Sequence, residues 1–236
     1  MVSEDHIDRL VEHAIGEIER TVPIRSVGYG WSGGKDSQAL RYVCEQADIN
    51  ECVLGISNLE YPEFLRWATD HMPWGLTIID NGWDLGWLAA HQDMLFPRQS
   101  AVANKWFKGV NHHAQDRWVK EYGAAAILLG RRQKDGNYMG PKGETIYTNR
   151  IGTTRYSPIA DWSHEEVLAL LAHKNIDLPP NYFWPRGFRV GTGSWPARQW
   201  TTSDMHAWSE IQIIDPSIVR EAATVIHSAA RFLEAI

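Results

Sequence analysis

The stretch Val27-Gly28-Tyr29-Gly30-Trp31-Ser32-Gly33-Gly34-Lys35-Asp36-Ser37-Gln38 decides the reading of this chain. An apolar run passes directly into a Ser-Gly-Gly-Lys-Asp-Ser turn and then into a helical pattern. Adjacent glycines permit positive φ and close approach of the backbone to an anion, while the amides and partial positive charge at a helix start face it. Lys35 adds a full charge, and Ser32 and Ser37 add hydroxyl donors. A merely structural turn needs no cation beside an anion. The spacing therefore points to a phosphate cradle made of Ser32, Gly33, Gly34, Lys35, Asp36 and Ser37.

Two better-known phosphate loops fit less well. A Walker loop places a glycine four residues ahead of its Gly-Lys pair and a Ser or Thr after the lysine, but those positions hold Tyr29 and Asp36. Gly28, Gly30 and Gly33 do match the dinucleotide pattern Gly-x-Gly-x-x-Gly, yet the strand ahead of them would run only about four residues after Pro23. No carboxylate ends the second apolar run, which passes from Cys52-Val53-Leu54-Gly55-Ile56 into Ser57-Asn58.

Composition bounds the function classes. The 236 residues are 44% hydrophobic and 22% charged, with a net charge of -6, which disfavours a broad nucleic-acid-binding face. No apolar run approaches a membrane span, and Met1-Val2-Ser3-Glu4-Asp5-His6 is acidic where a signal peptide would be basic, so the expected location is cytoplasmic. Cys44 and Cys52 are the only cysteines, too few for a disulfide framework or a four-thiolate metal site. Both are expected to pack as small hydrophobes. His112-His113 makes no metal site either, because neighbouring helical residues point about 100° apart. The twelve tryptophans are expected mostly as core or interface anchors, including a subunit contact in the Trp-rich last third.

Along the chain, residues 4–20 form an amphipathic helix, and 26–31 the first strand, followed by the loop and a helix over 37–46. Strands are expected at 52–57, 76–80 and 125–129 and helices at 62–71, 85–94 and 104–122. Residues 134–155, rich in Gly, Asn and Thr, read as a long loop or hairpin over a cleft, with Lys134, Lys142 and Arg150 on it. Residues 156–159 form a short strand, and Ser163 with Glu166 makes a capping box for a helix to about Lys174. The alternation predicts an α/β fold, a doubly wound, mostly parallel five-stranded sheet with a helical carboxy-terminal extension. Its expected division is a nucleotide-binding domain over residues 1–180, residues 1–22 being its first helix, with an irregular segment and helices over 181–236 packed on it. In such sheets ligands lie beyond the carboxyl ends of the strands, so the loop should share a cleft with Arg131 and Arg132, whose guanidinium forks suit phosphate or sulfate oxygens.

At Ser32–Ser37 the chain resembles the PP-loop ATP pyrophosphatases, and further blocks narrow the resemblance to the branch of the phosphoadenosine phosphosulfate (PAPS) reductases and the sulfate adenylyltransferase small subunit. Asn58-Leu59-Glu60-Tyr61-Pro62-Glu63 looks like the segment after the second strand there, usually an Asp-Thr-Gly run leading to Phe-Pro-Glu. Gly130-Arg131-Arg132 with Asp135 looks like the Gly-x-Arg substrate motif, and Ser157-Pro158-Ile159-Ala160-Asp161-Trp162-Ser163 resembles Pro-Ile-x-x-Trp-Ser/Thr. These blocks cover residues 25–180 in order. Two departures stand out: the acidic residue near Ile56 or Ser57 is missing, and Gly191-Thr192-Gly193-Ser194-Trp195-Pro196 replaces both thiols of a Gly-Cys-x-x-Cys-Pro motif. Without a thiolate no S-sulfo intermediate forms on the enzyme.

The resemblance implies an enzyme that binds ATP with Mg²⁺, cleaves it between the α and β phosphates and adenylylates an acceptor, a nucleic-acid base or a small molecule, with release of pyrophosphate. It implies catalytic roles for Lys35, Ser32, Ser37 and Arg131. Nucleotide contacts would come from Ser32, Gly33, Gly34, Lys35, Asp36, Ser37, Ser57, Arg131 and Arg132, with Asp36 toward the metal. Two alternatives stand beside it: sulfonucleotide binding or reduction with external thiols, and a partner-dependent nucleotide-binding subunit without activity of its own; a homo-oligomer or a partner subunit is the expected assembly.

Overall fold

A computed structural model of the chain describes residues 2–22, 26–136 and 138–236. Pro23, after which the first strand was expected to start, lies outside them. In chain order the main elements are α1 (Glu4–Thr21), β1 (Val27–Gly30), α2 (Lys35–Gln46), β2 (Cys52–Ile56), α3 (Pro62–Asp70), β3 (Leu76–Asp80), α4 (Leu85–Ala90), α5 (Ser100–Phe107), α6 (His113–Tyr122), β4 (Ala126–Leu128), β5 (Ile146–Thr148), β6 (Thr154–Tyr156) and α7 (His164–His173). Short helices α8 (Gly187–Val190) and α9 (Trp195–Arg198) and the longer α10 (Asp204–Ile214), α11 (Pro216–Ala222) and α12 (His227–Ala235) follow.

The strands form one sheet in the order β3-β2-β1-β4-β6-β5. β1 pairs parallel with β2 and β4, β4 pairs parallel with β6, and β5 runs antiparallel to β6. The sheet thus has six strands rather than the expected five, because the segment read as a loop or hairpin folds back as the edge strand β5. The strand expected at 156–159 lies earlier, at Thr154–Tyr156. Pro158 cannot donate to a ladder, so pairing ends ahead of it. Since β1 lies between β2 and β4, the order reverses at β1 and β4, which makes their carboxyl ends the switch point of the sheet.

The chain gathers into two compact units. The first comprises Met1–Leu54, His71–Ile79 and Ala114–Leu178. Its core includes Val53, Ile79, Trp118, Val119, Ile127 and Leu129. Gly28 is required there by packing, since a Cβ would lie 2.4 Å from the Trp118 ring and 2.5 Å from the Glu51 carbonyl. Helix α1 buries Ile7, Val11, Ala14 and Ile18 at helical spacing, with Ser3 capping its amino end. Helix α7 carries the expected capping box: Ser163 Oγ accepts the Glu166 amide at 3.1 Å and Glu166 accepts the Ser163 amide at 2.7 Å. Lys174 Nζ joins these helices through Glu4 at 3.0 Å and Asp8 at 2.8 Å.

The second unit comprises Gly55–Asp70, Asp80–His113 and Pro179–Ile236. Aromatic packing organises it. Trp83 stacks on Trp87 at 4.1 Å between centroids, with Trp106 edge-on to both. Phe96 and Trp195 pack on the fully buried Trp208. The continuous helix expected over 104–122 is instead α5, a π-helical turn at Lys108–His112 and α6. The wide turn contains Gly109, where a Cβ would sit 2.0 Å from the Trp83 ring, so the close approach of the indole accompanies the distortion. The pattern expected at 85–94 likewise splits into α4 and a 3₁₀ turn at Gln92–Met94.

Candidate functional site

Residues Ser32–Ser37 leave the carboxyl end of β1 and turn into α2. Gly33 takes φ +69°, the left-handed region that only glycine enters freely. The side chain of Ser37 fixes the turn from inside: its Oγ accepts the Ser32 amide at 3.1 Å, lies 3.2 Å from Ser32 Oγ, and donates to the Gly34 carbonyl at 2.9 Å. Gly34, at the N-cap of α2, has no side chain with which to cap the helix. Trp31 at the base of the loop is buried and donates its indole N–H to Gln38 at 2.7 Å. The glycines of the dinucleotide pattern divide otherwise than that motif needs, since Gly28 and Gly30 lie inside β1.

Lys35 begins α2, and its ammonium is buried against two carboxylates, Asp36 at 2.7 Å and Asp135 at 3.1 Å. Arg132 completes the arrangement from the segment after β4. Its Nε donates to Asp36 Oδ1 at 2.6 Å, its Nη2 to Asp135 Oδ2, and its Nη1 to the Trp162 carbonyl at 3.1 Å. Arg132 is 0% exposed, and each of its three nitrogens donates within the protein. It therefore braces the loop internally rather than presenting a fork to a ligand. Burial pushes the Asp135 carboxyl up, but the bonds from Lys35 and Arg132 outweigh it and hold the group below the usual carboxylate range. Gly130 makes this possible, because a Cβ there would meet the Asp36 carbonyl oxygen at 2.7 Å.

Arg131 is also buried, with Nη1 donating to the Tyr138 carbonyl at 3.2 Å and the Tyr147 hydroxyl at 3.0 Å. Burial lowers its pKa. Lys134, Lys142 and Arg150 are exposed. Ser57, buried in the second unit just after β2, gives both its amide and its hydroxyl to Glu60 Oε1 at 3.3 Å. Burial pushes the Glu60 carboxyl up to about 7, against the Ser57 bonds and with the Asp80 charge adding to it. Glu60 thus supplies an acid after β2 where Ile56 and Ser57 do not. Sequence reasoning quoted it within a motif and gave it no role; the signal was its spacing three residues beyond Ser57.

Both oxygens of Asp36 hold cations, and among the described residues no group of three or more His, Cys, Asp or Glu side chains converges on a point. This arrangement does not fit a metal held directly by Asp36. Among the described residues no helix is long and apolar enough to cross a membrane. Cys44 and Cys52 are buried, and burial pushes Cys52 up to about 12 and Cys44 well above its ordinary value.

Comparison with solved structures places this geometry among known folds. A PAPS reductase from Candida auris, in a phosphate complex, superposes with a TM-score of 0.55 over 83% of this chain and 97% of that one, at 17% identity. The chain has the adenine nucleotide alpha hydrolase-like fold, the PP-loop fold. The same PP-loop fold is found in FMN adenylyltransferase from Candida glabrata in complex with ATP (TM-score 0.53, 12% identity, 82% of this chain) and with FMN and AMPCPP (TM-score 0.52, 13% identity, 82% of this chain). The match spans 65% and 67% of those adenylyltransferase chains. No family model matches the sequence, and no curated protein matches it.

Proposed function

We propose that this protein is a PP-loop enzyme that binds ATP and adenylylates an acceptor. The observation that carries the reading is the loop itself: a glycine at φ +69°, a serine that locks the turn, and a helix that starts at a buried lysine without a side-chain cap, all at the switch point of a parallel sheet. Amides and the dipole at such a helix start favour phosphate oxygens, and Lys35 adds charge against the leaving pyrophosphate. An acceptor oxygen attacks the α-phosphorus, the bond from that phosphorus to the α–β bridging oxygen breaks, and its electrons leave with pyrophosphate. The chain's part is alignment and charge neutralisation rather than covalent catalysis. Ser32 and Ser37 keep the loop in register, Arg131 supplies a cation in the segment beyond β4, and Arg132 with Asp36 and Asp135 holds Lys35 in place. When bound with the nucleotide, Mg²⁺ would neutralise phosphate charge, and no step assigned to these residues depends on it.

The cysteines favour adenylyl transfer over a self-contained sulfonucleotide reductase. Both thiols are buried and held protonated, so neither supplies the nucleophilic thiolate a reductase needs. Pyrophosphate release from ATP in the presence of carboxylate, amide and nucleobase acceptors tests the reading. Lys35→Ala should abolish release while leaving the circular dichroism unchanged. Release unaltered in that variant, or no calorimetric affinity for any adenine nucleotide, would overturn it.

A further inference from the structure

The second unit buries a cation, Arg198, that has only a share in one carboxylate among the described residues. Arg198, at the end of α9, is 3% exposed: its Nε donates to the Gly191 carbonyl at 3.1 Å and its Nη2 to the Asn181 and Pro185 carbonyls at 3.0 Å each, with the Tyr61 hydroxyl also against the guanidinium. Its guanidinium lies 5.4 Å from the Trp184 ring centroid. The nearby acid Glu210 is already engaged, bonded by Arg186 at 2.8 and 2.6 Å and by His206 at 3.1 Å. Arg186 and Arg198 thus share one carboxylate. Among the described residues, Arg198 Nη1 is enclosed with no hydrogen-bond partner, and so are both side-chain atoms of Asn181, a residue that is 0% exposed. Because Nη2 of the same guanidinium holds the Asn181 main-chain carbonyl, the two residues are direct neighbours. Buried polar groups are otherwise almost always satisfied, and an unpaired buried charge is the costliest exception.

We infer that Arg198 and Asn181 form a binding site for hydrogen phosphate, separate from the nucleotide loop. The donors of Arg198 Nη1 and Asn181 Nδ2 suit two phosphate oxygens. The remaining acceptor, Asn181 Oδ1, takes the proton of the P–OH group, which hydrogen phosphate carries near neutral pH and sulfate lacks. All three atoms are shut off from solvent, so uptake requires the surrounding segment to open.

The test uses the full chain carrying Lys35→Ala, which removes the lysine of the nucleotide loop from the response. Inorganic phosphate, sulfate and acetate are each titrated in an anion-poor buffer while thermal unfolding is followed. Phosphate should raise the melting temperature, with an apparent affinity about tenfold or more above that for sulfate or acetate. Adding Arg198→Gln should abolish the response. Should that variant fail to fold, Asn181→Asp decides, because it places the missing carboxylate in the cluster. It should melt above its parent without phosphate and no longer respond to it. No stabilisation by phosphate, an equal response to sulfate, or a response that survives Asn181→Asp would overturn the inference.

Discussion

Replacing Gly130 by alanine tests how the loop is held. A Cβ at this position would lie 2.7 Å from the Asp36 carbonyl oxygen, 2.9 Å from its carbon and 3.1 Å from the Ser37 amide nitrogen. Ordinary contact begins near 3.4 Å, so the two segments must part by roughly 0.7 Å. The atoms met are backbone in the first turn of α2, pinned by the Ser37 hydrogen bonds and by Arg132 on Asp36, so they cannot swing aside as a flexible side chain would. Overpacking of this kind costs about 1–3 kcal/mol. In a chain of this size that lowers the melting temperature by roughly 2–4 °C per kcal/mol. A displacement approaching 1 Å also misaligns Lys35, for which a loss of up to about 10²-fold in turnover is expected. Urea denaturation measures the first effect and pyrophosphate release the second. Gly16→Ala in α1 is the control, since the nearest atoms would be the mobile Arg20 guanidinium at 3.4 Å. It should stabilise by about 0.5–1 kcal/mol. If Gly130→Ala matched the parent in melting and in nucleotide affinity, the close approach would not constrain the loop.

Glu60, with its pKa raised from 4.5 to about 7, is favoured by the fold in its protonated form. Stability relative to Glu60→Gln should be greatest below pH 4.5 and be lost as pH rises through 7, and urea melts across that window would refute this if the parent gained stability instead. Cys44 and Cys52 should resist thiol reagents in the native state and label only as fast as the chain unfolds; rapid stoichiometric labelling would contradict their burial. Ser163→Ala removes one half of the α7 capping box and should cost about 1 kcal/mol, recovered by Ser163→Asp.

What could be read from the sequence was local chemistry. The Ser-Gly-Gly-Lys-Asp-Ser turn, the capping box at Ser163 and the periodicity of α1 each lie within one short window, and each appears where it was expected. Strand β5 is three residues long, and its Ile146 and Thr148 are exposed, so alternation over so few positions gave no strand signal, whereas β6 was expected two residues late, at 156–159. The break at 108–112 depends on an indole reaching Gly109 from Trp83, and no helical pattern within 104–122 records that neighbour. Arg132 looked like a ligand fork because its partner Asp36 lies 96 residues away. The pairing that makes it internal exists only once β1 and β4 lie side by side.

The four charges around the loop, Lys35 and Arg132 against Asp36 and Asp135, cancel within the protein. An arriving anion therefore does not fill an electrostatic void; it competes with resident carboxylates for Lys35, much as a solute competes on an ion-exchange resin. Species that spread several negative charges along their length win that exchange more readily than those bearing a single one. On the proposed function, the resting loop would pass over the dilute monovalent anions around it and answer to polyanions.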